Sequence, residues 1–232
     1  MKKITVLVGL YEAGRFLEAK IENLRRQSMF DDMSIVLLNC QNLDKESDIY
    51  ADFLHENDNV SEIRYHEHVG LYTTWNHGIE ASNTDYITNA NVDDMWSPDY
   101  LEIMTKALDA DRSYAAAYSY VLQSGIPNQF DYEKWEYKGS LSRQPFPGGT
   151  MGPCPVWRRS LHDKYGLFED FQIISDGMMW QKWRRGGEKF LQVKEELVLY
   201  FNNPKSLERR YCPHSNLPLK KVELRKIGAD CA

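Results

Sequence analysis

The stretch "DYITNANVDDMWSPDYLEIM", residues 85–104, places two carboxylates side by side where a buried strand ends. Residues 85–90 carry a short apolar strand pattern, and Asp93 and Asp94 follow it. Ser97-Pro98 then reads as a helix start. Ser97 can cap, Pro98 fits the first helical position, and Leu101, Met104 and Leu108 form an apolar face. Adjacent like charges repel, and they repel more strongly near low-dielectric walls. Something should compensate them, and a divalent cation is the obvious candidate.

The segments before this stretch set its context. "ITVLV" (4–8), "SIVLL" (34–38) and "SEIRY" (61–65) read as strands. Between them lie helical stripes: Leu17, Ile21 and Leu24, then Ile49 and Phe53, then Leu71, Trp75, Gly78 and Ile79. Strand and helix thus alternate four times, which predicts an α/β fold with a mostly parallel sheet and helices on both faces. In such sheets ligands sit beyond the carboxyl ends of the strands. Residues 9–12, 39–42 and 91–94 all fall there, so three polar loops converge on one crevice, although turns fall there by default as well. The second half is less regular. A strand pattern at 115–121 leads into an aromatic, Gly- and Pro-rich segment through residue 155; long structureless loops are uncommon and often functional. A helix pattern from Asp176 to Arg185 and a strand at 196–201 close the readable part.

The chain has 232 residues, 42% hydrophobic and 27% charged, enough to bury a core without staples. A net charge of −6 offers nothing to nucleic acid or to an anionic membrane surface. No apolar run is long enough to span a bilayer. Cys40, Cys154, Cys212 and Cys231 show no CxxC spacing, which argues against a zinc site or a disulfide framework and suits a reducing cytoplasm. There is no GxxxxGK[ST], no GxGxxG after the first strand and no GxSxG elbow. "YHEHV" (65–69) offers His66 and His68. Strand alternation makes them a same-face pair without a further ligand nearby in sequence.

Three blocks carry a resemblance. "ITVLVGLYEAGRFLEAKIENLRRQ" (4–27), "VGLYTTWNHGIEASNTDYITNANVDDMWSPDYLE" (69–102) and "GLFEDFQIISDGMMWQKWRRGG" (166–187) resemble, in order and spacing, family 2 glycosyltransferases with their GT-A fold. The likeness spans about residues 4–206. It implies a single GT-A domain: a nucleotide-sugar half over about 1–95, an acceptor half over about 96–206 and an extension over 207–232. In that family an Asp-x-Asp motif at the end of the fourth strand holds Mn²⁺ or Mg²⁺ against the donor diphosphate. The matching triplet is Asn91-Val92-Asp93, so Asp93 is the implied ligand and Asn91 a weaker one. A family histidine after the last strand corresponds to Asn203, and a base-reading aspartate pair to Asn39-Cys40. Their shared position at strand ends makes Leu10, Tyr11, Glu12, Asn39, Gln41 and residues 91–93 the expected nucleotide-sugar contacts, with Arg15 and Asn76 beside them. In this assignment Tyr11 meets the base and Arg15 reaches the diphosphate. Asp176 matches the family's general base, while a helix cap is its plain reading. Trp180 and Trp183 suit an acceptor wall or a core equally.

The implied activity is metal-assisted, inverting transfer of one sugar from a nucleotide-diphosphate sugar to a glycan or glycoconjugate acceptor. A UDP-sugar is the first expectation, with GDP- and dTDP-sugars as alternatives. Two rivals remain at this level. A sugar nucleotidyltransferase shares the α/β layout, but "GLYEAGR" (9–15) matches its basic Gly-rich loop poorly. A decayed GT-A domain that only binds a sugar or a partner would explain Asn39, Asn91 and Asn203, while intact Asp93 and Asp176 oppose it.

Overall fold

The structure, a computed structural model, describes residues 2–40, 44–124, 151–171 and 173–206, together with three short strands between 124 and 151. Gln41, most of the 124–155 segment and the extension 207–232 lie outside the described residues.

The first half alternates as its periodicity requires. Its elements are β1 (Ile4–Leu10), α1 (Gly14–Arg25), β2 (Met33–Asn39), α2 (Asp44–Glu56), β3 (Val60–Arg64), α3 (Leu71–Ala81) and β4 (Tyr86–Asn89). The strands lie in the order β3-β2-β1-β4, every neighbouring pair parallel, with Ile4 opposite both Met33 and Tyr86. Strands covered on both faces read as continuous apolar runs, and β1 and β2 do.

Beyond β4 the sheet becomes mixed. β5 (Met95–Trp96), α4 (Tyr100–Ala110), β6 (Tyr114–Ser124), β7 (Phe130–Asp131), β8 (Glu136–Tyr137), β9 (Ser142–Gln144), β10 (Val156–Arg158), α5 (Ser160–Tyr165), α6 (Ser175–Arg185) and β11 (Lys189–Phe201) follow. β10 runs antiparallel between β4 and β6, β11 runs parallel to β6, and β5 closes the far edge antiparallel to β11. β9 pairs with β6, and β7 pairs with β8 apart from the main sheet.

The pleat sends successive side chains to opposite faces. Val6 and Val8 join a core with Leu17, Phe53 and Leu101, from α1, α2 and α4. Leu7 joins the other core with Trp75, Leu161 and Trp183, from α3, α5 and α6. α3 lies so close to the sheet that a Cβ at Gly78 would sit 2.6 Å from Leu7 Cδ2.

Three local expectations change. α4 begins at Tyr100, and Ser97-Pro98 does not cap it. The Ser97 N–H donates to Leu197 O at 2.9 Å, Gln27 Nε2 donates to Ser97 O at 2.8 Å, and the Ser28 N–H donates to Pro98 O at 2.7 Å. Pairing with β11 draws the chain into the sheet first, so the helix starts later. β3 ends at Arg64, so His66 and His68 lie on the loop to α3 rather than on one strand face. The last strand runs from Lys189, well before residue 196, because β6 offers it a partner along its length.

Candidate active site

The adjacent carboxylates at the end of β4 are split between two environments. Asp94 is fully buried. Its Oδ1 accepts the Phe201 N–H at 3.1 Å, its Oδ2 accepts Asn91 Nδ2 at 2.8 Å, and the Cys154 thiol lies 3.8 Å from Oδ2. Burial, reinforced by the charge of Asp93, pushes the Asp94 carboxyl up to about 7. Behind it Lys20 is also fully buried, its ammonium 4.7 Å from the centre of the Trp96 ring, and burial pulls its pKa down. A single cation shared by both carboxylates is therefore not how the pair is accommodated. Asp94 is satisfied by the protein, and Asp93 is left to the site.

Asp93 is half-buried and forms no ion pair among the described residues. Its Oδ2 accepts Asn203 Nδ2 at 2.9 Å. Asn203 Oδ1 in turn accepts the Arg15 guanidinium at 3.3 Å and the Lys205 N–H at 2.9 Å. This chain joins the ends of β4 and β11 to the start of α1, and so gathers Asp93, Asn203 and Arg15 in one place. Asn203 and Asn91 turn their NH₂ groups, not their carbonyl oxygens, toward the two carboxylates. In this orientation each amide donates a proton to a carboxylate. Among the described residues no group of three or more His, Cys, Asp and Glu is placed to hold a metal. One carboxylate still suits a hard cation that arrives with a diphosphate, which supplies the remaining oxygens.

The loops on the other side of the crevice are partly buried. Leu10 belongs to the core, and its carbonyl accepts the Cys40 N–H at 3.1 Å. Tyr11 is 36% exposed, and its ring centroid lies 4.9 Å from that of His68. Glu12 is exposed and holds a left-handed φ of 49°, uncommon for a residue with a side chain. Asn39 does not face the crevice. It is fully buried, and its Nδ2 donates to the Tyr50 hydroxyl at 2.9 Å and to Glu62 at 3.2 Å. Asn76 is likewise structural. Its amide donates to Phe168 O at 2.8 Å and accepts the Phe168 N–H at 2.9 Å, clamping the loop before α6. Val92 is half-buried and packs against the first core.

Asp176 lies in the first turn of α6, whose N-cap is Ile174, so it does not cap the helix. Its Oδ1 accepts the Tyr72 hydroxyl at 2.9 Å and the Gly177 N–H at 2.7 Å. Of the two readings left open for Trp180 and Trp183, they take the core one, at 2% and 0% exposure. Their ring centroids lie 4.8 Å apart, and Trp180 packs 5.6 Å from Trp157. An amphipathic helix facing a sheet turns its large rings inward, which here leaves the opposite side of α6 polar.

The family model described as Glycosyl transferase family 2 matches residues 5–166. The chain belongs to glycosyltransferase family 2. The Bacillus subtilis (strain 168) protein named uncharacterized glycosyltransferase EpsJ is 25% identical over 97% of this chain and 69% of that protein. Glycosyltransferase GlyA of Streptococcus pneumoniae serotype 4 is 26% identical over 89% of this chain and 32% of its own length. The fold is that of GT-A enzymes. A structure of Staphylococcus aureus TarS 1-349 in complex with UDP-GlcNAc aligns at a TM-score of 0.74 with 12% identity, covering 97% of this chain and 65% of that one. Mannosyltransferase PcManGT from Pyrobaculum calidifontis, in complex with GDP-Man and Mn²⁺, aligns at 0.72 with 15% identity, covering 99% and 65%.

The family 2 chain thus spans about two thirds of these solved structures. Among its described residues no helix is long and apolar enough to cross a membrane. Two residues of the site, Tyr72 and Glu46, were not singled out from sequence. Tyr72 orients Asp176. Glu46, nearly buried, accepts the Gly14 N–H at 2.9 Å and the Ala13 N–H, capping α1 from α2. Neither Tyr72 nor Glu46 lies within a strand-end loop, so position alone could not mark them.

Proposed function

We propose that the chain binds a nucleotide-diphosphate sugar across the ends of β1 and β4 and transfers its sugar, with inversion, to a hydroxyl of a carbohydrate or glycoconjugate acceptor. The observation that carries this reading is the chain Asp93–Asn203–Arg15. It places a carboxylate that forms no ion pair among the described residues and a guanidinium within one hydrogen-bonded unit at the carboxyl edge of a parallel sheet. In that geometry Arg15 meets the donor diphosphate and Asp93 holds the divalent cation, Mn²⁺ or Mg²⁺, that such a diphosphate carries. A bound cation there would neutralise charge on the departing diphosphate. Asn203 fixes both Asp93 and Arg15.

Asp176 takes the proton of the acceptor hydroxyl as that oxygen attacks the anomeric carbon. The Tyr72 hydroxyl holds its carboxylate in one orientation. On this reading residues up to about 95 serve the donor and those from about 96 to 206 the acceptor, and the cytoplasm is where the chain works. A UDP-sugar is the leading donor, since the fold is shared with TarS, whose structure holds UDP-GlcNAc, with a GDP-sugar next, as in PcManGT.

Thermal melting with UDP-, GDP- and dTDP-sugars plus Mn²⁺ tests the reading. A ligand at 100 times its Kd stabilises by about 2.7 kcal/mol, or roughly 5–10 °C for a chain of this size. One donor class should produce that shift in the wild type and lose its Mn²⁺-dependent part in Asp93→Ala, whose fold is unchanged. No shift with any donor refutes the proposal; equal shifts in both proteins refute the role of Asp93.

A further inference from the structure

We propose that Lys20 is the built-in counter-charge of the donor site: it offsets Asp94 from inside the core, so that a cation arriving at the crevice meets the charge of Asp93 alone. The inference rests on the nucleotide-sugar reading above. It deepens that reading by naming a residue that sets how strongly the site draws on its metal.

Lys20 lies on α1 and is fully buried, with no hydrogen-bond partner for its ammonium among the described residues. A lysine on a protein surface buries its stem and keeps its head in water. Here the head lies 4.7 Å from the centre of the Trp96 ring, which is itself fully buried. An ammonium in such a place is unfavourable unless opposite charge lies near. The carboxylates whose charge acts on it are Asp94 and Asp93. Cys154 sits beside Asp94 but adds no charge, because burial pushes its thiol up to about 12.

The helix holds the ammonium in that position. Asn23 and Gln27 continue the same face of α1, and both are buried. Asn23 Nδ2 donates to Trp96 O at 2.8 Å, and Asn23 Oδ1 accepts the Trp96 N–H at 3.0 Å. Gln27 Nε2 donates to Ser97 O at 2.8 Å. α1 is thus fastened along its length to the chain that leaves Asp94, and Lys20 cannot withdraw to water without breaking those bonds. A methionine would fill the same space without desolvating a charge, so what the ammonium contributes is its charge. That charge acts in opposite directions on the two parts of a metal–nucleotide complex. It attracts the diphosphate and repels the cation.

Calorimetry at pH 8 with UDP, GDP and dTDP, each with and without Mn²⁺, tests the assignment on wild type, Lys20→Met and Lys20→Gln. Methionine keeps the stem and removes the charge; glutamine removes the charge and keeps a polar group. For the nucleotide that the wild type binds, either variant should raise the Mn²⁺ enhancement of affinity by roughly 10-fold, the order that a unit charge exerts through a poorly screened interior. The affinity without Mn²⁺ should fall in the same variants. A merely structural defect weakens both. An enhancement that is unchanged or smaller in a folded variant overturns the inference, and so does loss of the fold in both variants, since the charge then serves the core alone. A wild type that binds none of the nucleotides overturns the donor reading and this inference with it.

Discussion

Acid should loosen the platform beneath Asp176 through one buried histidine. His162 is 7% exposed and sits between Trp157, Phe168 and Trp183. The Trp157 indole N–H donates to His162 Nε2 at 2.9 Å. An indole nitrogen can only donate, so Nε2 is the unprotonated nitrogen, and Nδ1–H donates to Gly166 O at 3.0 Å. A second proton would have to enter at Nε2, against the indole N–H and inside the core. Burial accordingly pulls the imidazole from 6.5 down to about 4, with the nearby Arg159 charge acting in the same direction. The folded pKa lies below the unfolded one, so the unfolded chain binds the proton first as pH falls. The contribution is complete above pH 6.5 and is lost between 6.5 and 4. At 1.36 kcal/mol per pKa unit the whole effect is about 3 kcal/mol, of which about 2 kcal/mol is gone by pH 5.

Asp94 works the other way. Its folded pKa is raised to about 7, so the folded chain gains from holding that proton as pH falls below 7. The wild-type profile alone therefore mixes two opposite slopes. The two groups lie in or against different cores, so subtraction of a His162→Phe variant removes the Asp94 contribution. Urea unfolding followed by tryptophan fluorescence at pH 7.5, 6 and 5 gives the comparison. His162→Phe leaves the Trp157 N–H without an acceptor, so it starts less stable at pH 7.5. Its deficit should shrink by about 2 kcal/mol by pH 5. A deficit that stays constant across that range refutes the argument.

Asp176→Asn retains a carbonyl oxygen for the Tyr72 hydroxyl and the Gly177 N–H, so melting temperature and nucleotide affinity should hold while turnover falls ~10²- to 10⁴-fold; near-wild-type turnover in a sugar-transfer assay moves the base elsewhere. Gly78→Ala sets a methyl 2.6 Å from Leu7 Cδ2 and 3.4 Å from Leu38 Cδ2, which pushes α3 off the sheet and should cost about 1–3 kcal/mol in urea unfolding. An unchanged midpoint would show that α3 does not lie as close as described.

The candidate site was legible where chemistry and chain position coincide. Asp93 and Arg15 were marked by charge beside a strand or helix end, and the structure joins them through Asn203. Asn39 ends β2 and Asn76 lies within α3, and an amide is equally suited to a ligand and to a protein partner. Each found a protein partner: Asn39 in Tyr50, Asn76 in the Phe168 backbone. Trp180 and Trp183 carried the same ambiguity, since a ring that suits a sugar also fills a core, and they are buried.

Periodicity is a local property, and it was enough to specify the β3-β2-β1-β4 half. Apolar runs that need cover on both faces, alternating with amphipathic helices, leave a parallel sheet as the economical solution. The direction of a single side chain at the end of a strand is not local. Asp93 and Asp94 are chemically identical neighbours, and only the arrival of β11 separates them. The Phe201 N–H fastens one inside and the Asn203 amide meets the other at the crevice, each from more than a hundred residues along the chain. The same strand delays α4 by pairing with Met95–Trp96. Sequence could therefore place two carboxylates at the right edge of the sheet, while tertiary packing alone decided that Asp94 belongs to the core and Asp93 to the site.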